Sequence, residues 1–306
     1  MRTACCDSGP TALKKISYKY RSGAAALRCL SDGCLYFAPP AVLNDALEAR
    51  FDLVPETKFA APIRRAAQLL TSGRDSKGVS SFVETTLKEL QSQSPEATGW
   101  FQAGVKSAGV FSSGATPDNQ PMWAYYCNDR AGVCFELEWS DSVLERNHLY
   151  PVSVLYSDKT REHNIAEDFA HTLLEVATEN PRWSLKQIAA LSLTDSFRAK
   201  WRMRTIARAT STKHSNWSHE REIRILSPHA LGLPLLADVL KRVYFARTDF
   251  AEWSPIVLLL RRLYPSVEVA QLNFIHRAPF VEVRSLTTKL IPLEYSSDPW
   301  NLRGEG

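Results

Sequence analysis

Long apolar runs are missing from this 306-residue sequence. The best candidate, Ile256 to Leu260, stops at Arg261-Arg262, well short of the roughly 18 residues that cross a bilayer as a helix. No membrane span is expected. The first residues, Met1-Arg-Thr-Ala-Cys-Cys-Asp, carry no apolar core of a signal peptide. Cytoplasmic residence is the expectation, with a secreted effector that keeps its signal as the alternative. The common catalytic signatures are missing too. There is no P-loop, no G-x-G-x-x-G, no H-E-x-x-H and no G-x-S-x-G, which removes the usual support for a P-loop NTPase, a dinucleotide dehydrogenase, a zinc protease or a serine hydrolase. Cysteines are few: Cys5, Cys6, Cys29, Cys34, Cys127 and Cys134. Their spacings match no usual zinc pair and no histidine pair completes a site, so no metal is expected and the thiols read as reduced. Acylation at Cys5-Cys6 would lack the glycine that myristoylation needs, because Arg2 stands in that place. A net charge of +4 is too mild to imply nucleic acid by itself.

What is present is a globular composition, 44% hydrophobic and 23% charged, able to bury a sizeable core. Strand and helix signals alternate without regular βαβ spacing. That predicts an α+β fold with mixed, mainly antiparallel sheets and flanking helices. Residues 1–15 read as a flexible lead, 16–295 as a single α+β domain with helical insertions at about 59–95 and 161–213, and 296–306 as a polar tail. Within the domain, strands are expected at 16–20, 34–37, 110–113, 132–137, 152–156, 240–245, 267–274 and 280–283. Helices are expected at 24–30 (stopped by Gly33), 82–90, 165–178 and 185–210, the last broken near 193–195. Ser254-Pro255 predicts a capped helix start leading to Tyr264, and Asn44-Asp45 predicts a cap on a helix from Ala46.

The segment Trp217-Ser-His-Glu220-Arg-Glu222-Ile-Arg224-Ile-Leu226 is the most informative. As a strand, it places Glu220, Glu222 and Arg224 on one face, the two acids about 7 Å apart at a rise of about 3.3 Å per residue. Two acids so placed can take different pKa values and different roles. The alternative is the solvated face of an edge strand, with Arg224 pairing a glutamate.

Other groupings carry two readings each. Arg21 follows Tyr18-Lys19-Tyr20 and precedes Ser22-Gly23. Its planar fork suits a phosphate or carboxylate, or it simply ends a strand. Ser112 and Ser113 suit a ligand ribose or a turn. Met122-Trp123-Ala-Tyr-Tyr126 suits a stacking wall or helical core packing. Arg198, Lys200, Arg202, Arg204, Arg208 and Lys213 form a basic run without an intervening acid. It suits RNA, DNA or a pyrophosphate, or a solvated helix face.

Taken in order, the stretches resemble a bacterial domain family of unknown function. They are Tyr18-Lys-Tyr-Arg21, Gly33-Cys-Leu-Tyr-Phe37 with Pro39 and Asn44-Asp45, Phe111-Ser112, Met122-Trp123 with Tyr126, Gly132-Val-Cys134 with Phe135, Val154-Leu-Tyr156, and Trp217 through Arg224. More distantly, an arginine on the first strand, an aromatic-Ser-Ser strand and a later E-x-E resemble the Arg–Ser–Glu class of ADP-ribosyltransferases. That resemblance implies an ADP-ribosyltransferase-like core and NAD as substrate. Arg21, with Tyr20 beside it, would hold the pyrophosphate, and Ser112 or Ser113 would position the acid or the ribose. Trp123 and Tyr126 would wall the nicotinamide, Glu222 would be the catalytic carboxylate, and Glu220 would position the acceptor.

Three functions compete. One is an NAD-dependent ADP-ribosyltransferase-like enzyme, a toxin or phage-defence component modifying nucleic acid or protein. The second is a nucleic-acid-binding or nuclease-like protein, with the basic run as its contact and, in one version, a metal held by Glu220, Glu222 and Asp45. The third is a non-catalytic interaction module in which Arg21, Ser112 and Glu222 lie apart.

Overall fold

The computed structural model describes residues 16–45, 49, 52–71, 78–128, 131–158, 162–246, 250–274 and 281–285. The expected lead (1–15), the polar tail (296–306) and the expected helix start at Ala46 lie outside them. In chain order the elements are β1 (Ile16–Arg21), α1 (Gly23–Asp32), β2 (Leu35–Phe37), β3 (Asp52–Leu53), α2 (Ala60–Thr71), α3 (Val79–Ser107), β4 (Gly109–Gly114) and α4 (Gln120–Tyr126). Next come β5 (Val133–Glu138), α5 (Asp141–Arg146), β6 (Tyr150–Ser153), β7 (Leu155–Tyr156), β8 (Glu162–His163), α6 (Ile165–Glu179), α7 (Leu185–Ser192) and α8 (Asp195–Thr210). The series closes with β9 (Thr212–Lys213), β10 (Glu222–Ser227), β11 (Leu231–Leu233), α9 (Leu236–Val239), β12 (Leu240–Phe245), α10 (Phe250–Leu263), β13 (Glu268–Phe274) and β14 (Val281–Ser285).

The fold is α+β. Eight strands form one sheet in the order β14-β13-β12-β5-β1-β4-β10-β6. Every pairing is antiparallel except β12 with β13, the two strands that α10 connects. A parallel pair needs such a crossover, whereas the antiparallel ones do not. One face of the sheet is covered by α1 and α10, with Leu30, Phe37, Phe111, Phe135, Trp139, Ile225, Val243 and Leu260 in one apolar core. On the other face a smaller core of Tyr20, Met122, Trp123, Cys134, Tyr244 and Leu272 lies under α4. The helices α2, α3, α6, α7 and α8 build a third core of their own around Ile63, Leu90, Phe169, Leu173, Phe197 and Trp201.

Local chemistry explains several boundaries. Ser22 caps α1 by accepting from Ala25 N, and Gly33 ends it at φ 65°, a left-handed conformation that glycine adopts without a Cβ penalty. The break between α7 and α8 falls where Thr194 caps α8, accepting from Phe197 N. Gly132 is needed for close approach: a Cβ there would lie 2.1 Å from the Arg21 carbonyl oxygen, so only glycine lets β5 meet β1. Two expectations are corrected. Helix α3 runs for 29 residues rather than ending at Leu90. Helix α10 begins at Phe250 with Pro255 inside it, so Ser254 is not its cap; Trp253, in ring contact with Phe245 at 4.8 Å, docks the preceding turn.

The sheet is not evenly knit. The β1–β5 register runs from Ile16↔Glu138 to Arg21↔Val133, and β4–β10 from Gly109↔Ser227 to Gly114↔Glu222. Between β1 and β4 the register is Tyr18↔Gly114 alone. The two strands part on one side of that pair.

Candidate functional site

A cleft of about 220 Å³ opens where β1 and β4 part. Tyr18, Lys19 and Tyr20 line it from β1, Ser112 and Ser113 from β4, Met122 and Tyr126 from α4, and Glu222 from the start of β10. The segment Val42–Asn44 completes its rim. Tyr20 is anchored at its tip, donating to Thr116 O at 2.6 Å and accepting from Asn119 N at 3.2 Å. Lys19 Nζ crosses the parting and donates to Ser112 O at 2.5 Å. Burial, and then the Arg21 guanidinium, push the Lys19 amine down to about 7.

Behind Glu222 lies a buried charge cluster. Strand β10 is buried along its whole length between β4 and β6, so the reading of a solvated edge strand is overturned. Arg224 is fully buried and donates through Nε and Nη2 to Glu222 Oε2 at 2.9 and 2.5 Å. Its Nη1 donates to the Thr210 carbonyl at the end of α8. Lys213, also fully buried, donates to Glu222 Oε1 at 3.4 Å and to Glu220 Oε2 at 2.5 Å, with its ammonium 4.7 Å from the Trp217 ring centroid. The other Glu220 oxygen accepts from Tyr126 OH at 2.8 Å and Asn44 Nδ2 at 3.3 Å. Asn44 Oδ1 in turn accepts from Lys213 at 3.2 Å. Two carboxylates thus face two cations in a low-dielectric setting, where breaking one side is costly. Burial pushes the Glu222 carboxyl up, but Arg224 and Lys213 outweigh it and hold it below the ordinary carboxylate range.

Glu220 does not share the strand with Glu222, contrary to expectation. It ends a 3₁₀ turn, Ser215–Glu220, and Arg221 between the two acids is left-handed at φ 47°, ψ 51°. That conformation, costing about 1–3 kcal/mol for a non-glycine residue, turns Glu220 back toward Lys213. Both acids therefore meet one ammonium by a kink rather than by strand periodicity. Glu222 and Arg224 do share a face, as period two requires.

The remaining expected site residues divide. Ser112, Tyr20 and Tyr126 line the cleft with Glu222. Ser113 also lines it, but its hydroxyl donates to Ile223 O at 2.8 Å, tying β4 to β10. Trp123 is fully buried, donates to Pro117 O at 2.8 Å and packs edge-on against Tyr20 at 5.5 Å. It is core rather than a cleft wall; the buried Met122 and the half-buried Tyr126 line the cleft instead. Arg21 is not among the lining residues; its Nε is buried without a hydrogen-bond partner. Asn44, expected as a cap, is a member of the charge cluster. Lys19 was missed as a site residue, as was Tyr18, although Tyr20 and Arg21 beside them were expected at the site.

The basic run is mostly neutralised. Arg198 pairs with Glu89, Lys200 with Glu175 and Glu179, Arg204 with Glu175, and Arg208 with Glu167 and Asp168. Arg202 stacks over Trp100 at 5.3 Å. These acids sit on α6 and α3, so the excess of positive charge on α8 is matched by its packing partners. Lys213, counted with that run, belongs to the buried cluster instead. Among the described residues no group of three or more His, Cys, Asp or Glu side chains is placed to hold a metal ion; the Lys213 ammonium already sits between Glu220 and Glu222. Among the same residues no helix is long and apolar enough to cross a membrane. Cys29, Cys34, Cys127 and Cys134 form no disulfide, and burial pushes the Cys127 thiol up to about 12.

Residues 122–225 match the family model described as protein of unknown function DUF2971. The matched span runs from α4 into β10. It contains Tyr126, Lys213, Glu220, Glu222 and Arg224, and so most of the charge cluster. No curated protein and no solved structure matches the chain.

Proposed function

We propose that the cleft is the active site of an ADP-ribosyltransferase-like enzyme that breaks the nicotinamide–ribose bond of NAD. The carrying observation is Glu222: a carboxylate held ionised by Arg224 and Lys213 at the wall of a cleft with aromatic and hydroxyl lining. Departure of nicotinamide leaves oxocarbenium character on the ribose. A fixed, already ionised carboxylate beside it lowers that barrier without reorganising at the moment of reaction. Tyr126 and Met122 offer the flat ring an apolar wall, and Ser112 offers the ribose a hydroxyl. Of the Arg–Ser–Glu series, Ser112 and Glu222 meet in the cleft while Arg21 stands outside its lining. A macromolecular acceptor, protein or nucleic acid, would suit a toxin or phage-defence role, and a nucleic-acid acceptor would have little help from the paired bases on α8.

The test is nicotinamide release from NAD by the purified protein, followed by chromatography with and without cell extract as a source of acceptor. Release by the wild type is expected, reduced about 10³-fold by Glu222→Gln, with the variant's thermal melt showing that it still folds. Absence of release under both conditions, or a Glu222→Gln protein that keeps its rate, overturns the reading.

A further inference from the structure

We propose that Lys19 is the general base of the transfer, taking the proton from the acceptor hydroxyl or amine as that group bonds to the ribosyl carbon. This rests on the reading of the cleft as an NAD site and adds a role that the Arg–Ser–Glu resemblance does not assign. The step balances without another reagent. The carbon–nitrogen bond to nicotinamide breaks and its electron pair leaves with the ring, which becomes neutral. The acceptor's lone pair forms the new bond, its proton passes to the Lys19 amine, and the ammonium later returns that proton to water.

Neither glutamate is suited to the task. Glu222 has Oε2 bound twice by Arg224 and Oε1 facing Lys213. Those cations make it a good electrostatic partner and a weak base. Glu220 is fully buried, absent from the cleft lining, and bound at both oxygens by Lys213, Tyr126 and Asn44. Its expected role at the acceptor has no access. Lys19 lines the same cleft as Glu222. Its surroundings favour the neutral amine: burial first, then Arg21 two residues along β1, against the opposing pull of Glu222, Cys29 and Glu220. A lysine desolvated beside another cation is a group able to accept a proton near neutral pH. Once formed, the ammonium keeps Ser112 O as acceptor at 2.5 Å and the Phe111 ring at 5.0 Å.

The experiment is the pH profile of transfer for the wild type and for Lys19→Arg and Lys19→Ala. In the wild type kcat/KM rises with pH through a midpoint near the Lys19 value of about 7. Lys19→Arg keeps a cation but no base at these pH values, and it loses about 10²–10⁴-fold. Small primary amines restore part of the rate to Lys19→Ala, a rescue that a merely structural role would not permit. An active wild type whose profile is flat from pH 6 to 8, or a Lys19→Arg protein at full rate, overturns the base assignment and leaves the NAD reading intact. A wild type that releases no nicotinamide at any pH overturns both. The reactivity of Lys19 toward an acylating reagent, mapped by mass spectrometry, checks the amine separately. It should rise through the same midpoint, and a midpoint near 10 would also defeat the proposal.

Discussion

The protein holds two sets of acid–base pairs built from similar residues in unlike surroundings. On the helical layer, α8 presents Arg198, Lys200, Arg204 and Arg208 to acids of α3 and α6. These basic side chains keep roughly a third of their surface in water. At the cleft, Lys213 and Arg224 face Glu220 and Glu222 with almost no exposure. The first set is a screened contact between packed helices. The second is a desolvated cluster whose members cannot exchange a lost partner for water. Both sets hold a carboxylate below its ordinary range, Glu175 in the first and Glu222 in the second; burial decides what the loss of one partner costs.

The comparison can be broken most directly at Lys213. Lys213→Met leaves two acids facing each other without the ammonium between them, and a loss of about 3–5 kcal/mol is expected in urea unfolding. A loss below about 1 kcal/mol would place the buried cluster in the same class as the surface pairs. Acid titration of stability comes next. The folded-state value of Glu222 is depressed, so its contribution is complete above the unfolded glutamate value of about 4.3 and disappears as pH falls through the folded value. Glu222→Gln should therefore flatten the acid limb of the stability curve, and an unchanged limb would show that the cluster does not hold Glu222 ionised. Salt sharpens the contrast. At about 1 M the Debye length falls to roughly 3 Å, so a double-mutant cycle across Arg204 and Glu175 should lose its coupling, while one across Arg224 and Glu222 should retain most of it. The smallest effect belongs to Arg204→Ala, less than about 1 kcal/mol by thermal melt; a larger cost would mean that the ladder bears on the helical core more than its exposure implies.

Much of the fold was legible because its signals are local. Alternation in Ile16–Tyr20, the glycine after α1, and the break at Thr194 each follow from residues within one turn of the feature. Helix α3 outran its expected end because packing against α2 and α8 carries a stretch with weak periodicity. At the site, Glu222 and Arg224 were legible as a period-two pair. Glu220 was not, since nothing in Glu-Arg-Glu announces that the central arginine takes a left-handed conformation. Lys213 read as one more base in a run because its partners are set by the turn that follows rather than by the helix that precedes it. A usable signal was there: it is the one base of the run that lies beyond α8, seven residues before Glu220. Lys19 sat inside a stretch already singled out, with a stronger cation two residues away drawing the phosphate role.

The single register pair between β1 and β4 has a mechanical side. Strain applied across the sheet concentrates at its weakest seam, and here the seam runs beside the cleft. The leaf β14-β13-β12-β5-β1 and the leaf β4-β10-β6 meet at the register pair Tyr18↔Gly114, braced by Lys19 to Ser112 O and Tyr20 to Thr116 O. A molecule lodged in the cleft beside Lys19 and Ser112 would add a further brace there. Its arrival would register as slower amide exchange along the facing edges of both leaves, including positions that never touch it.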